Sequence, residues 1–406
     1  MLRGLKSARF ALVVTILLLV VYKISTYNLQ GSAPSALGSL LDNAQTGDKQ
    51  GQSSNLSAAD KAAQANDLAV NGTPKRENAT FVTLCRNTDL WNIVSSIRDI
   101  ENRFNRNYHY DWVFLNDEDF TEEFKSVVRS HVSGAALFST VLQQDWEIPS
   151  WVDKDKAAAE RQKMGDAGII YGGSLSYRYM CRFESGLFFR QPIMNNYRYY
   201  WRVEPDIKIL CDINYDVFKF MRENKKSYGF TISLHEYRDT IATLWDTVKG
   251  FMAKYPQHIH QNNAMDFVSA DKGQTYNLCH FWSNFEVADM DFWRSEAYTD
   301  FFNYLDQSGG FHYERWGDAP VHSIAVSLLM DQNELHYFDD IGYWHVPFMN
   351  CPIDSDVRAK LRCTCPYDVS IPPDQRSFFA FKGHSCTSLW YKVVGKEKPK
   401  GWENFT

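Results

Sequence analysis

Glu204 and Asp206 stand on either side of one proline, at the end of Tyr199-Tyr200-Trp201-Arg202-Val203, a bulky run that reads as a strand. Proline fixes its own φ and pushes Glu204 towards an extended conformation, so neither acid relaxes into a helix. Two stiffly held carboxylates at a strand end suit a hard divalent cation that also grips phosphate oxygens. The competing reading is an acidic turn with proline at its second position.

Four further stretches carry chemistry-bearing residues. Tyr177-Arg178-Tyr179-Met180-Cys181-Arg182-Phe183 offers two arginines and a phenol around what reads as a half-buried edge strand. Phe281-Trp282-Ser283-Asn284-Phe285-Glu286 sets a carboxylate beside three aromatics, where desolvation tunes proton affinity and nucleophilicity. The run from Gly309 to Asp318 is aromatic-rich, as sugar-stacking surfaces and cores both are. Gly342-Tyr343-Trp344-His345 ends in an imidazole able to complete a metal site, although an isolated histidine is more often structural.

The elements that position these groups read as α/β. Ala79 to Leu84 is a strand, Asp89 to about Phe104 a helix and Trp112 to Leu115 a second strand, which together make a βαβ unit of a parallel sheet. Ligands in such sheets sit at the carboxyl ends of the strands, which puts Arg86 and Asn116-Asp117 on the ligand face. Lys208 to Asp212 reads as another short strand. Ala319 to Met330 reads as an amphipathic helix, with Val321, Ile324, Ala325, Leu328 and Leu329 on one stripe, Asp318 at the N-cap and Pro320 in the first turn. His322 lies beside that stripe and reads as a hydrogen-bonded core residue. Gly172-Gly173 and Gly309-Gly310 read as turns, and neither an internal repeat nor a glycine-rich phosphate loop is found.

The 43 basic residues are outnumbered by 49 acidic ones, so the net charge of -6 leaves no basic footprint for nucleic acid. Aromatics make up 15% of the chain, yet none occurs between Tyr27 and Phe81. A segment with nothing to bury does not offset its chain entropy, so residues 27–80 read as a flexible stem. Before it, Phe10 to Tyr22 is apolar and follows Arg3, Lys6 and Arg9, the pattern of a signal-anchor over 10–26 with a cytosolic tail over 1–9, a cleaved signal being the alternative. The folded domain is then 81–406, on the far side of the membrane. Eight cysteines, all in that domain, suit an oxidising lumen, and Cys363-x-Cys365 lacks the spacing of a zinc knuckle. Glycosylation sequons stand at Asn55, Asn71, Asn78 and Asn404.

The segments SYRYMCRFESG, YYWRVEPD, YNLCHFWSNFE, GGFHYERWGDAPVHS and DDIGYWHVPFMNCP occur in the order seen in the fungal α-1,2-mannosyltransferase family of Golgi enzymes, which the chain closely resembles over 81–406. The resemblance implies a GT-A-like, single nucleotide-sugar-binding domain with a mixed, mainly parallel sheet flanked by helices. It implies retaining, Mn²⁺-dependent transfer of mannose from GDP-mannose to the 2-OH of an α-mannoside on glycoprotein glycans, cell-wall mannoproteins among them. It also implies a single-pass type II location in the Golgi membrane with the catalytic domain in the lumen.

Carried over residue by residue, the resemblance makes Glu204 and His345 metal ligands and Asp206 part of the same acidic nucleotide motif. Glu286 becomes the nucleophile candidate or, if retention comes from same-face attack, an electrostatic support. Tyr177 becomes a catalytic residue near donor and acceptor and Asp318 an acid near the sugar, and Arg86 and Arg182 complete the substrate contacts. Glu184 departs from the smaller polar residue expected before Ser185-Gly186, and Leu84-Cys85-Arg86-Asn87 is an unusual exit from the first strand. Rival readings are a two-carboxylate glycosidase, a catalytically silent sugar-binding subunit and a mannosylphosphate-transfer accessory protein of the same family.

Overall fold

The computed structural model describes residues 76–365, 383–399 and Trp402. The chain divides into two units, 1–61 and 62–406, and every described residue belongs to the second. The tail, the anchor, the stem up to residue 75 and the sequons at Asn55, Asn71 and Asn404 lie outside the described residues. Among those described, no helix is long and apolar enough to cross a membrane.

Twelve strands form three sheets among the described residues: β1 (Ala79–Leu84), β2 (Asp111–Asn116), β3 (Ala136–Thr140), β4 (Tyr199–Val203), β5 (Lys208–Ile209), β6 (Tyr228–Phe230), β7 (Ser233–His235), β8 (Cys279–Phe281), β9 (Phe285–Asp289), β10 (Leu335–Tyr337), β11 (Tyr343–His345) and β12 (Phe348–Asn350). The main sheet has seven strands in the order β10-β6-β9-β4-β1-β2-β3. It is mixed and mainly parallel: β9 alone runs against its neighbours β4 and β6. The strand readings of 79–84 and 199–203 are thus met, although β1 begins two residues inside the expected stem. The expected strand at Lys208 to Asp212 is only two residues long and pairs with β11 in the small sheet β12-β11-β5.

Period-2 alternation sends successive β4 residues to opposite faces. Tyr199, Trp201 and Val203 join the apolar layer that includes Phe81, Trp112 and helix α1 (Leu90–Arg103). Tyr200 joins the opposite layer, under helices α2 (Leu175–Gly186), α3 (Glu296–Gln307) and α4 (Asp318–Leu329). Arg202 has the parity of Tyr200 and enters that second layer.

Three expectations need correction. Tyr177–Phe183 is helical, not extended: Ser174 caps α2 by accepting the Tyr177 N–H, and Arg178, Cys181, Arg182 and Ser185 are buried at helical spacing. The alternation of Tyr177 and Tyr179 concealed that period. Helix α4 is not amphipathic, because all twelve of its residues are buried. Asp318 is not its cap; Gly317 holds that position and Asp318 is the first helical residue. Of the eight cysteines, six form the disulfides Cys211–Cys363, Cys279–Cys386 and Cys351–Cys365, while Cys85 and Cys181 are buried free thiols.

Helix α1 fixes the loop after β4. The Ser96 hydroxyl donates to the Glu204 carbonyl (2.9 Å) and accepts from the Ile207 N–H (3.1 Å), and the Asp206 N–H donates to the Asn92 carbonyl (3.2 Å). Asp206 takes a left-handed backbone, φ 62°, which an aspartate tolerates better than most residues. Replacing Ser96 with Ala leaves two backbone groups of this loop without their partner, and about 1–3 kcal/mol of stability should go with it. Thermal unfolding of the purified variant checks this; a melting temperature equal to the parent's contradicts it.

Candidate active site

The carboxyl ends of parallel neighbours β1 and β4 lie side by side. Arg86, which follows β1, is exposed and donates to the Ser176 hydroxyl at the start of α2 (3.3 Å). Glu204 and Asp206 follow β4; Glu204 is half-buried and Asp206 exposed. The small sheet pairs Tyr343 with Ile209 and Trp344 with Lys208, which ties the strand that ends in His345 to the segment just after the Glu204–Asp206 loop.

Arg202 organises the floor of this edge. Its guanidinium lies 2.7 Å from Glu204, 2.6 Å from Asp318 and 3.8 Å from Glu184, and Asp318 also accepts from the Ser283 hydroxyl at 2.6 Å. Arg202, Glu184 and Asp318 are all buried. Burial alone disfavours the Arg202 charge, but Glu184, Asp318 and Glu204 outweigh it and hold the guanidinium well above the usual arginine range. Burial likewise opposes the Asp318 charge, yet Arg202 and Ser283 keep that carboxyl below its ordinary value. Glu184 goes the other way: burial pushes it up to about 8, since Arg202 is already claimed by the nearer acids.

Glu286 stands on β9 directly opposite Arg202 and is 0% exposed. One carboxylate oxygen accepts from the Tyr200 hydroxyl; the other lies 2.9 Å from His322 Nδ1. His322 is fully buried, as its place beside the helix stripe suggested, and Trp293 stacks on its ring at 4.2 Å. Tyr177 is half-buried, stacked on Tyr171 (4.3 Å) with the Arg315 guanidinium 5.2 Å from its ring; burial raises its phenol. Arg182 turns away from this group: two residues before Glu184 on α2, it makes a buried two-pronged pair with Asp306 of α3 (2.8 and 2.9 Å).

Arg202, Glu204, Asp318 and Glu286 thus converge, Arg86 and Asp206 share their edge, and Arg182 is engaged elsewhere. Sequence reasoning did not assign roles to Arg202, Tyr200 or Ser283. The strand parity of Tyr200, Arg202 and Glu204 was a signal that they share a face. A groove of about 800 Å³ bordered by Thr243, Tyr255 and Tyr304 contains none of these residues.

A profile of the family described as glycolipid 2-alpha-mannosyltransferase matches residues 37–395. The chain belongs to that family. Glycolipid 2-alpha-mannosyltransferase 1 of Candida albicans is 56% identical over 328 residues, 81% of this chain and 74% of the relative. Alpha-1,2 mannosyltransferase KTR1 of Saccharomyces cerevisiae is 55% identical over 332 residues, 82% of each. The crystal structure of core-mannan synthase A from Aspergillus fumigatus, a Mn/GDP form, matches with TM-score 0.72 at 38% identity, covering 79% of this chain and 86% of that one. This mannosyltransferase family member is a glycosyltransferase, and its GT-A-like fold is the one the resemblance implied.

The residues of this family member suit a divalent cation. The Val346 carbonyl lies 3.0 Å from His345 Nδ1 and only accepts, so Nδ1 carries the hydrogen and Nε2 presents its lone pair. Glu204 gives one oxygen to Arg202, and Asp206 is open to solvent. Two carboxylates and one imidazole are a donor set for Mn²⁺ or a similar ion. Among the described residues, these three side chains do not lie within 4.8 Å of one another.

The raised Glu184 carboxyl has a pH consequence. The folded state holds a proton that the unfolded chain releases near its ordinary value of 4.5, so Glu184 lowers stability as pH rises from about 4.5 towards 8. Glu184→Gln removes that contribution, so its melting temperature relative to the parent's should rise between pH 5 and pH 8. A difference that stays constant with pH contradicts the assignment.

Proposed function

We propose that this protein is a retaining, Mn²⁺-dependent α-1,2-mannosyltransferase that moves mannose from GDP-mannose to the 2-OH of an α-mannoside on glycoprotein glycans. The observation that carries the reading is the shared carboxyl edge of β1 and β4, with Arg86 following β1 and Glu204 and Asp206 following β4, Glu204 being held by the buried Arg202 cluster. That is where α/β sheets bind nucleotides, and the relative from Aspergillus fumigatus was solved in a Mn/GDP form.

Glu204 and His345 would hold the cation, with Asp206 beside them at the nucleotide. When bound, Mn²⁺ supplies positive charge to the diphosphate leaving group. Arg86 adds a cation at the same edge, suited to phosphate oxygens. Arg202 fixes the Glu204 carboxylate from below, Asp318 in turn fixes Arg202, and the Ser283 hydroxyl fixes Asp318. Tyr177, on the first turn of α2 near Arg86, presents a phenol to the donor and acceptor sugars. Glu286 places a carboxylate behind the reacting centre; with no exposed surface and both oxygens engaged, it supports positive charge at the anomeric carbon rather than attacking it. Retention then comes from same-face attack by the acceptor.

A Golgi membrane setting, with the domain in the lumen, is supported by the apolar run at 10–26, the aromatic-free stem and the three disulfides.

The test is GDP release by the full chain from GDP-mannose and α-methyl mannoside, with Mn²⁺ and then with EDTA. Release that needs Mn²⁺ and is matched by disaccharide is the expected result, and Glu286→Gln should abolish it while GDP-mannose still binds. Chelator-insensitive release of free mannose would mean a glycosidase. Tight Mn²⁺–GDP binding without turnover on mannoside acceptors would favour the silent subunit or the mannosylphosphate accessory protein.

A further inference from the structure

Both ring nitrogens of His322 face acceptors. Nε2 lies 3.2 Å from the Ser185 carbonyl of α2, an oxygen that only accepts, so Nε2 carries a hydrogen. Nδ1 lies 2.9 Å from Glu286, whose other oxygen already accepts from Tyr200. Tyr200 in turn accepts from Trp293 Nε1 (2.9 Å), which commits its own proton to Glu286. The ring is 0% exposed and held between Trp293 at 4.2 Å and Tyr298 at 6.0 Å, so it has no room to flip and trade partners.

We propose that His322 is a positioning residue for the transfer reaction: an imidazolium locked between Ser185 and Glu286 that, with Tyr200, keeps Glu286 a correctly aimed carboxylate. The inference rests on the mannosyltransferase reading and goes beyond it by assigning His322 and Tyr200. The charged and titratable groups around the ring and its carboxylate are Glu286 and Arg202 from the sheet, Asp318 from its own helix, Glu184 from α2, and the phenols of Tyr200, Tyr228 and Tyr298. Burial disfavours the charged ring, but the Glu286 carboxylate outweighs it and holds His322 above the ordinary histidine value.

The consequence is specific. Without the imidazolium, the Glu286 carboxylate loses its cationic hydrogen-bond partner and keeps the Tyr200 hydroxyl, and a carboxylate that loses a positive neighbour takes up a proton more readily. The experiment is the pH profile of kcat for the full chain, for His322→Gln and for Tyr200→Phe, with donor KM measured alongside. The acid limb should move to higher pH by about one unit or more in His322→Gln and by less in Tyr200→Phe, with donor KM within about twofold of the parent. If His322→Gln does not fold, Tyr200→Phe alone carries the test, since it removes the other donor to the same carboxylate. Active, folded variants whose acid limb coincides with the parent's overturn the proposal and leave His322 a packing residue. A parent that transfers no mannose defeats the mannosyltransferase reading instead.

Discussion

One buried guanidinium holds the site together. Arg202 reaches three carboxylates from three elements: Glu204 from the loop after β4, Asp318 from α4 and Glu184 from α2. A charge removed from water is tolerated only when partners satisfy it, and removing one side of such a cluster typically costs about 3–5 kcal/mol. Its value here is positional: the strand, both helices and the acidic loop acquire one mutual arrangement. The same constraint explains why Asp318 serves Arg202 rather than capping its own helix, while β8, α2 and α3 pack around α4 and bury it along its length.

A second anchor of the same kind lies one strand away. Glu286 is opposite Arg202 in register, but its hydrogen bonds go to Tyr200 and His322, so the two charge systems are neighbours with separate partners. One opens through Glu204 and Asp206 towards solvent; the other is sealed. A leaving diphosphate needs exposed ligands, while a carboxylate that stabilises developing positive charge works best where water is excluded. On the proposed mannosyltransferase reading, the sheet supplies both from adjacent strands.

Much of this was legible in the sequence wherever local periodicity coincides with the environment. The strands at 79–84 and 199–203 have bulky residues on both faces, which a central, doubly covered strand requires. The parallel pairing of β1 with β2 followed from the βαβ order. The failures share one cause, which is tertiary partners that a linear pattern does not reveal. Tyr177 and Tyr179 mimic strand alternation, but Arg178 and Arg182 are buried on a helix by the Glu314, Gly172 and Ser174 carbonyls and by Asp306. Asp318 has the composition of a cap, and only the fold brings Arg202 to it. The importance of Arg202 was hidden because its partners lie 18 residues before it and 116 after it, apart from nearby Glu204.

The most direct test of the account is the product itself. The full chain should be incubated with GDP-mannose, Mn²⁺ and α-methyl mannoside, and the new linkage and anomeric configuration read by NMR. The account predicts an α-linked mannose on the 2-OH of the acceptor. A β-linked product would contradict retention, a different hydroxyl would contradict the 1,2 assignment, and free mannose as the sole product would contradict transfer.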